Sequence, residues 1–324
     1  MTSASLIDVP GVRLGHASLG DTGVTVVMAG SEGMIAAVDV RGGGPGTRET
    51  DLLAPHNTVD RVHAIALCGG SAFGLAAADG VMSELERVGI GFPVRGEGLP
   101  GPRVPIVPAA VIFDLFVGDA AHRPTAPDGA AATRAALEGP GDGGGVGASA
   151  SIGAGCGATA GVLRGGFGQA SVAVGEYVVA AGVVANPVGS VIDPQTGRLY
   201  GDPRLPAVDL GRFLGLEHPA AKLNTTIGVI ATDAPVSTAQ AKRLAMVGHD
   251  GIARAVRPAH SPLDGDTLFA VSTAPVPGSI DTATLGELCR AAADVVEAAI
   301  VAAIINAAPG YGLETYAALI AATR

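Results

Sequence analysis

Residues 223–234 read LNTTIGVIATDA. The β-branched and apolar run from Thr225 onward predicts a buried strand over 225–234. It follows a turn-rich excursion expected to be exposed, opened by DPQTGRLYGDPRLP at 193–206 and reaching about Lys222. A hydroxyl residue at the first position of a buried strand is where an N-terminal nucleophile would sit. If Thr225 Oγ attacks the carbonyl before it, the peptide becomes an ester, and water then releases a new α-amine. Such an amine has an ordinary pKa near ~8 and serves as the hydroxyl's own general base at neutral pH. Two plainer readings fit the same letters. Thr225 can be an ordinary strand residue, and Asn224-Thr225-Thr226 also spells a glycosylation acceptor, though no secretory signal accompanies it.

Working outward, Ser237 or Thr238 caps a predicted helix over TAQAKRLAMVGHDGIARAV (238–256). FAVST at 269–273 is a further strand, and residues 281–305 form a long helix. Upstream, VTVVMAG (24–30), MIAAVDV (34–40) and HAIAL (63–67) read as strands. The last runs into the glycine turn CGGSAFG and a helix over 71–87 that stops at Gly89. A second series of strands spans SVAVGEYVVAAGVV (171–184). Residues 119–160, rich in Ala, Gly and Asp, read as loop, with GPGDGGGVGAS as their most flexible stretch. The alternation indicates an α+β fold of layered sheets and helices, without internal repeats.

Composition excludes several classes. With 48% apolar residues over 324 positions the chain can bury a large core. Thirty acidic against 20 basic side chains give a net charge of −10, and no basic stripe is present, so nucleic acid is not an expected partner. The greasiest stretch, residues 291–308, carries Asp294 and Glu297 and is too short and charged to span a bilayer. A cytoplasmic location is expected, without a membrane partner. Cys68, Cys156 and Cys289 are scattered through apolar or glycine-rich surroundings and read as buried thiols.

The remaining motifs are individually modest. CGGSAFGL (68–75) and GAGCGATAG (153–161) are strand-to-helix glycine turns that lack the P-loop lysine, so close packing or backbone donors along a cleft are their readings. His16, His63, His249 and His260 fall in no metal-ligand spacing, and no G-x-S-x-G elbow occurs. No metal or cofactor is expected. His249-Asp250 reads as a capping or surface pair near a helix end, and Asp264-Gly265-Asp266 and Asn186-Pro187 each read as turns.

Taken together, DVPGVRLGHA (8–17), TGVTVV (22–27), VDVRGGGPGTRETDLL (38–53), CGGSAFGLAAADGVM (68–82), VPIVPAAVIFDL (104–115), NTTIGVIATDA and HDGIARAVRPAHSPLDGDTLFAVST closely resemble the DmpA-like aminopeptidase family. That family includes β-peptidyl aminopeptidases and the nylon-oligomer hydrolase NylC. The resemblance runs from about residue 6 to 320. It implies a four-layer αββα sandwich, related to N-terminal nucleophile hydrolases but differently connected. It also implies a precursor (zymogen) that cuts itself at Asn224-Thr225 into an α subunit, 1–224, and a β subunit, 225–324, of one intertwined domain. Some aminopeptidase members have Gly-Ser at the junction, whereas Asn-Thr resembles the nylon hydrolase side. Thr225 is then the catalytic nucleophile, Asp264 and Asp266 match the family's two acidic positions, and Asn186 matches an asparagine that polarises the substrate carbonyl. The implied substrate is a small peptide or other amide, and the implied assembly is a homo-oligomer, a tetramer of cleaved pairs. One departure stands out. Where nylon hydrolase carries a catalytic lysine, this chain has Val162, with Arg164 as the cation nearby, and a guanidinium does not readily release its proton. Two other functions fit the same strings less closely: acyl transfer of the ornithine acetyltransferase type, and non-catalytic small-molecule binding by an uncut chain.

Overall fold

Alternation along the strands builds a molecule of four layers. In the computed structural model, which describes residues 4–139, 150–217, 223–276 and 278–320, two sheets lie face to face. One has five strands in the order Arg13–Ser18, Gly23–Met28, Ala64–Cys68, Ala109–Val111, Thr47–Arg48. The other has six, ordered Gly166–Val174, Tyr177–Ala185, Ile227–Thr232, Thr267–Ser272, Met34–Val40, Arg61–Val62. Successive strand side chains point to opposite faces. Val27 and Val229 therefore enter the core between the sheets, while their neighbours Val26 and Ile230 face the helices.

Each outer face is covered by two helices. Ala77–Arg87 and Ala126–Glu138 pack on the five-stranded sheet, and Thr238–Ala255 and Thr282–Ile305 on the six-stranded one. Three apolar layers, one between the sheets and one beneath each helix pair, make the expected αββα arrangement. The helix starts follow local chemistry. Ser237 closes a capping box with Gln240, and the Asp281 carboxylate accepts the amides of Ala283 and Thr284. Small residues set the layer spacing: a Cβ on Gly168 would overlap the Ala299 carbonyl, so glycine lets the long helix close onto the edge strand.

Three regions differ from expectation. Residues 126–138, read as loop, are a helix. The signal was Thr125, whose side chain and backbone pair with Asp128 in a capping box, followed by Pro127 in the first turn. Its alanines and Gly129, which fits against the Ala77 carbonyl, gave it little apolar periodicity yet allow close helix packing. Residues 140–149, most of the glycine-rich stretch, lie outside the described residues. The excursion after 190 is anchored through Ile192, Leu199, Val208 and Phe213, all buried in the core under the long helix. Finally, His249 is no surface or capping residue. It is fully buried within Thr238–Ala255, and burial pushes its imidazole down to about 4. The three cysteines are buried free thiols, as expected. Among the described residues no helix is long and apolar enough to cross a membrane.

Candidate active site

The site forms where two central strands run parallel. Ile227 pairs with Thr267, and the same register continues past the strand ends to an isolated bridge between Asn224 and Asp264. Asp264-Gly265-Asp266 thereby lies alongside Asn224-Thr225-Thr226. A parallel pair needs a long crossover, here the helix Thr238–Ala255, so residues some forty positions apart become neighbours. The turn read from Asp264-Gly265-Asp266 in isolation thus becomes one wall of the site.

Thr225 is buried and continuous with Asn224. Its Oγ1 donates to Asn224 O at 2.6 Å, and its N–H donates to Asn186 O at 2.7 Å. Thr226 N–H donates to Asp266 Oδ1 at 2.8 Å, while Asp266 Oδ2 accepts from His260 N–H at 3.1 Å and lies 2.7 Å from His260 Nδ1. Asp264 accepts from Val188 N–H at 3.0 Å and Ser261 N–H at 2.9 Å. Burial pushes the Asp264 carboxyl above its ordinary range; the Ser261 and Val188 amides pull against this, and the charge of Asp266 adds to it. His260 continues inward, edge to face on His249 with ring centroids 4.9 Å apart. His249 Nε2 lies 3.1 Å from Asp39 O, and the Asp39 carboxylate pairs with Lys242 and Arg41. Sequence patterns did not single out Lys242, Arg41 or Asp39, and His260 carried no motif.

Asn186 reaches Thr225 through its backbone. Its side chain is fully buried, with Oδ1 accepting from Thr159 N–H at 2.8 Å and Nδ2 donating to Phe113 O at 3.1 Å. The expected site residues Thr225, Asn224, Asn186, Asp264 and Asp266 thus converge. Arg164 stands apart: it is buried and donates to the carbonyls of Ala308 and Cys156, and neither it nor Val162 lines the cleft at Thr225.

That cleft has a volume of about 240 Å³. Gly44, Pro45 and Gly46 form one lip and Ser71 and Ala72 the other, with Val111, Phe113 and Leu263 as apolar walls and Leu223 to Thr225 crossing it. Among the described residues none of its lining side chains is charged. The glycine turn before Ser71 spends its amides internally, Gly70 N–H on Asp114 Oδ1 at 2.6 Å and Ser71 N–H on Ile112 O at 2.9 Å. Ser71 itself sits at φ +53°, a left-handed conformation uncommon for a residue with a side chain. Asp114, with Thr22 on its other oxygen, holds this strained lip, and burial pushes its carboxyl up to about 6.

The site is thus a buried threonine hydroxyl at the approach to a strand, flanked by two buried carboxylates between stacked sheets. Residues 4–317 match peptidase family S58, and the chain belongs to that family of amide-bond hydrolases. A Mycobacterium leprae protein described as an uncharacterized aminopeptidase is 45% identical, over 96% of this chain and 93% of the relative. The 6-aminohexanoate-oligomer endohydrolase of a Kocuria strain is 33% identical, over 82% of this chain and 74% of the relative. Among solved structures, a Burkholderia beta-aminopeptidase superposes with a TM-score of 0.74 at 24% identity, covering 97% of this chain and 92% of the other. The L-aminopeptidase D-Ala-esterase/amidase of Ochrobactrum anthropi, described as a variant of the Ntn hydrolase fold, superposes with a TM-score of 0.72 at 22% identity, over 95% and 88%. These two likenesses establish the fold.

Proposed function

We propose that the chain is a self-processing amidase or aminopeptidase whose nucleophile, Thr225, is released by its own cut of the Asn224-Thr225 bond. The observation that carries this is the placement of Thr225 Oγ1 2.6 Å from the oxygen of the preceding carbonyl, with carboxylates on both sides of it in the segment that leads into the neighbouring strand. Attack by Oγ on the Asn224 carbonyl carbon forms a C–O bond. The hydroxyl proton passes to one of the flanking carboxylates and on to the Thr225 nitrogen as the C–N bond breaks. Water then hydrolyses the ester, leaving a carboxylate on Asn224 and an amine on Thr225. Asn186 O, already 2.7 Å from that nitrogen, keeps the new amine oriented, so it can take the hydroxyl proton during turnover. In this geometry Asn186 acts as a positioning residue. A role in polarising the substrate carbonyl requires its Nδ2 to leave Phe113 O.

Both fragments, 1–224 and 225–324, stay together on this reading, because the strand Ile227–Thr232 lies between Tyr177–Ala185 on one side and Thr267–Ser272 on the other. A single domain built from two subunits follows, and tetramers of such pairs are the assembly we infer. Intact and native mass spectrometry of the purified protein tests the cut, its position and the assembly together. Two masses corresponding to 1–224 and 225–324 support the proposal. A chain that stays whole, or a second fragment beginning elsewhere than Thr225, overturns it.

A further inference from the structure

In the uncut chain the Asn224 side chain occupies a built pocket. Its Nδ2 donates to Pro187 O at 2.9 Å, Thr159 O at 3.2 Å and Thr159 Oγ1 at 3.2 Å. Two of these partners are backbone carbonyls, which only accept, so the group between them is a donor and the nitrogen's position follows from its surroundings. Thr159 Oγ1 is an acceptor here for a related reason. Its proton is directed at Asn186 Oδ1, 3.3 Å away, and that oxygen is itself fixed by Thr159 N–H. The fully buried Asn186 amide, tied to Phe113 O, holds the pocket in shape.

Three acceptors face one nitrogen. A primary amide has two protons for them, whereas a primary ammonium has three. Asp264 accepts from Val188 N–H, directly after Pro187, and adds negative charge beside the pocket. The Asn224 nitrogen is separated from its own carbonyl carbon by Cα, Cβ and Cγ. That carbonyl is the one Thr225 attacks during processing, and a substrate carbonyl must occupy the same place to meet the same hydroxyl. The acyl group behind it follows the path of the Asn224 side chain, which runs from a residue lining the cleft to the Thr159 and Pro187 acceptors.

We infer that, once the cut frees Asn224 to withdraw, Thr159 Oγ1, Thr159 O and Pro187 O form an acyl-chain subsite for a primary ammonium or amide carried three carbons from the scissile carbonyl. The substrate class is γ-aminoacyl amides, with asparaginyl amides as neutral analogues. An α-ammonium sits too close to the carbonyl to reach these acceptors. The inference rests on Thr225 being the self-released nucleophile.

The test compares anilide substrates on the purified, processed enzyme and on its Thr159→Val and Thr159→Ser variants. On wild type, kcat/KM is expected to be at least about tenfold higher for 4-aminobutyryl than for pentanoyl anilide, and for asparaginyl than for leucyl, each partner being a near-isostere without the donor. Thr159→Val should narrow both ratios several-fold, and Thr159→Ser, which keeps the hydroxyl, should restore them. In the precursor, Asn224→Leu should slow self-cleavage several-fold. Equal rates for donor and isostere, or faster cleavage of alanyl than of 4-aminobutyryl anilide, overturn the subsite while leaving the self-cleaving nucleophile standing. A wild-type chain that never cuts overturns both.

Discussion

Gly265 lies alongside Thr225, and a Cβ on it would stand 2.9 Å from Thr225 Oγ1 and 2.6 Å from Gly44 O. The glycine keeps space for the Thr225 hydroxyl beside the backbone of Gly44. Gly265→Ala is therefore expected to fold, with an overpacking cost of about 1–3 kcal/mol, and to process at least about tenfold more slowly. Thermal unfolding and a time course of intact mass report the two effects separately. Processing at the wild-type rate would show that the hydroxyl does not need that space.

Thr225→Ala should give a folded, uncut and inactive chain, because the attacking oxygen is gone. Thr225→Ser keeps the oxygen but loses the branch that restricts its rotamer, so slow processing should remain. Amide hydrolysis by the alanine variant at the wild-type rate would refute the mechanism.

The two carboxylates should give different defects. Asp266 is tied to Thr226 N–H and His260, on the nucleophile's side, so Asp266→Asn should lower kcat on every amide by about 10- to 100-fold, the size of a lost charge-assisted hydrogen bond. Asp264 lies beside Asn224 and is bonded to Val188, on the acyl side, so Asp264→Asn should act mainly through KM, and more for substrates with a free amine than for their N-acetylated partners. Matched free and acetylated substrates measure the split. Normal self-cleavage and turnover in both variants would reduce these residues to a turn.

Asp114 predicts a pH dependence of stability. Its folded pKa is raised to about 6, above the ordinary 3.8, so its contribution to stability is fully present below the unfolded value and is lost as pH rises through the folded one. At ~1.4 kcal/mol per unit the loss is about 3 kcal/mol between pH 4 and somewhat above 6. Asp114→Asn mimics the protonated form, with its oxygen toward Gly70 N–H and its nitrogen toward Thr22 Oγ1, and should remove this component. Denaturant unfolding of both proteins across that range would show the variant gaining on wild type as pH rises and the gap then levelling. A constant gap would mean that Asp114 does not titrate there.

Much of the layered fold was legible. The strands at 24–28 and 227–232 are continuous β-branched or apolar runs, that at 34–40 is interrupted only by Asp39, and the helices from Thr238 and Thr282 announce themselves with a capping serine and aspartate. The helix Ala126–Glu138 escaped because alanine and glycine carry almost no periodic contrast, although its capping box was present. His249 was misplaced because a histidine within a helix does not say from sequence which face is turned to the core.

What the sequence determined by itself is local: a hydroxyl at the head of a buried strand, the caps and turns, and, through several strings in order, the family. What only the tertiary structure decided is adjacency. A parallel pairing across the crossover helix sets Asp264-Gly265-Asp266 against Asn224-Thr225-Thr226, and the glycine turn at 68–71 with the strand at 109–111 closes the cleft around them. The sequence could name Asn186 but not which of its groups meets Thr225; the fold turns its carbonyl toward Thr225 and commits its amide to Thr159 and Phe113. Register is a property of two strands together, set by the packing of both faces, and no single stretch of chain contains it.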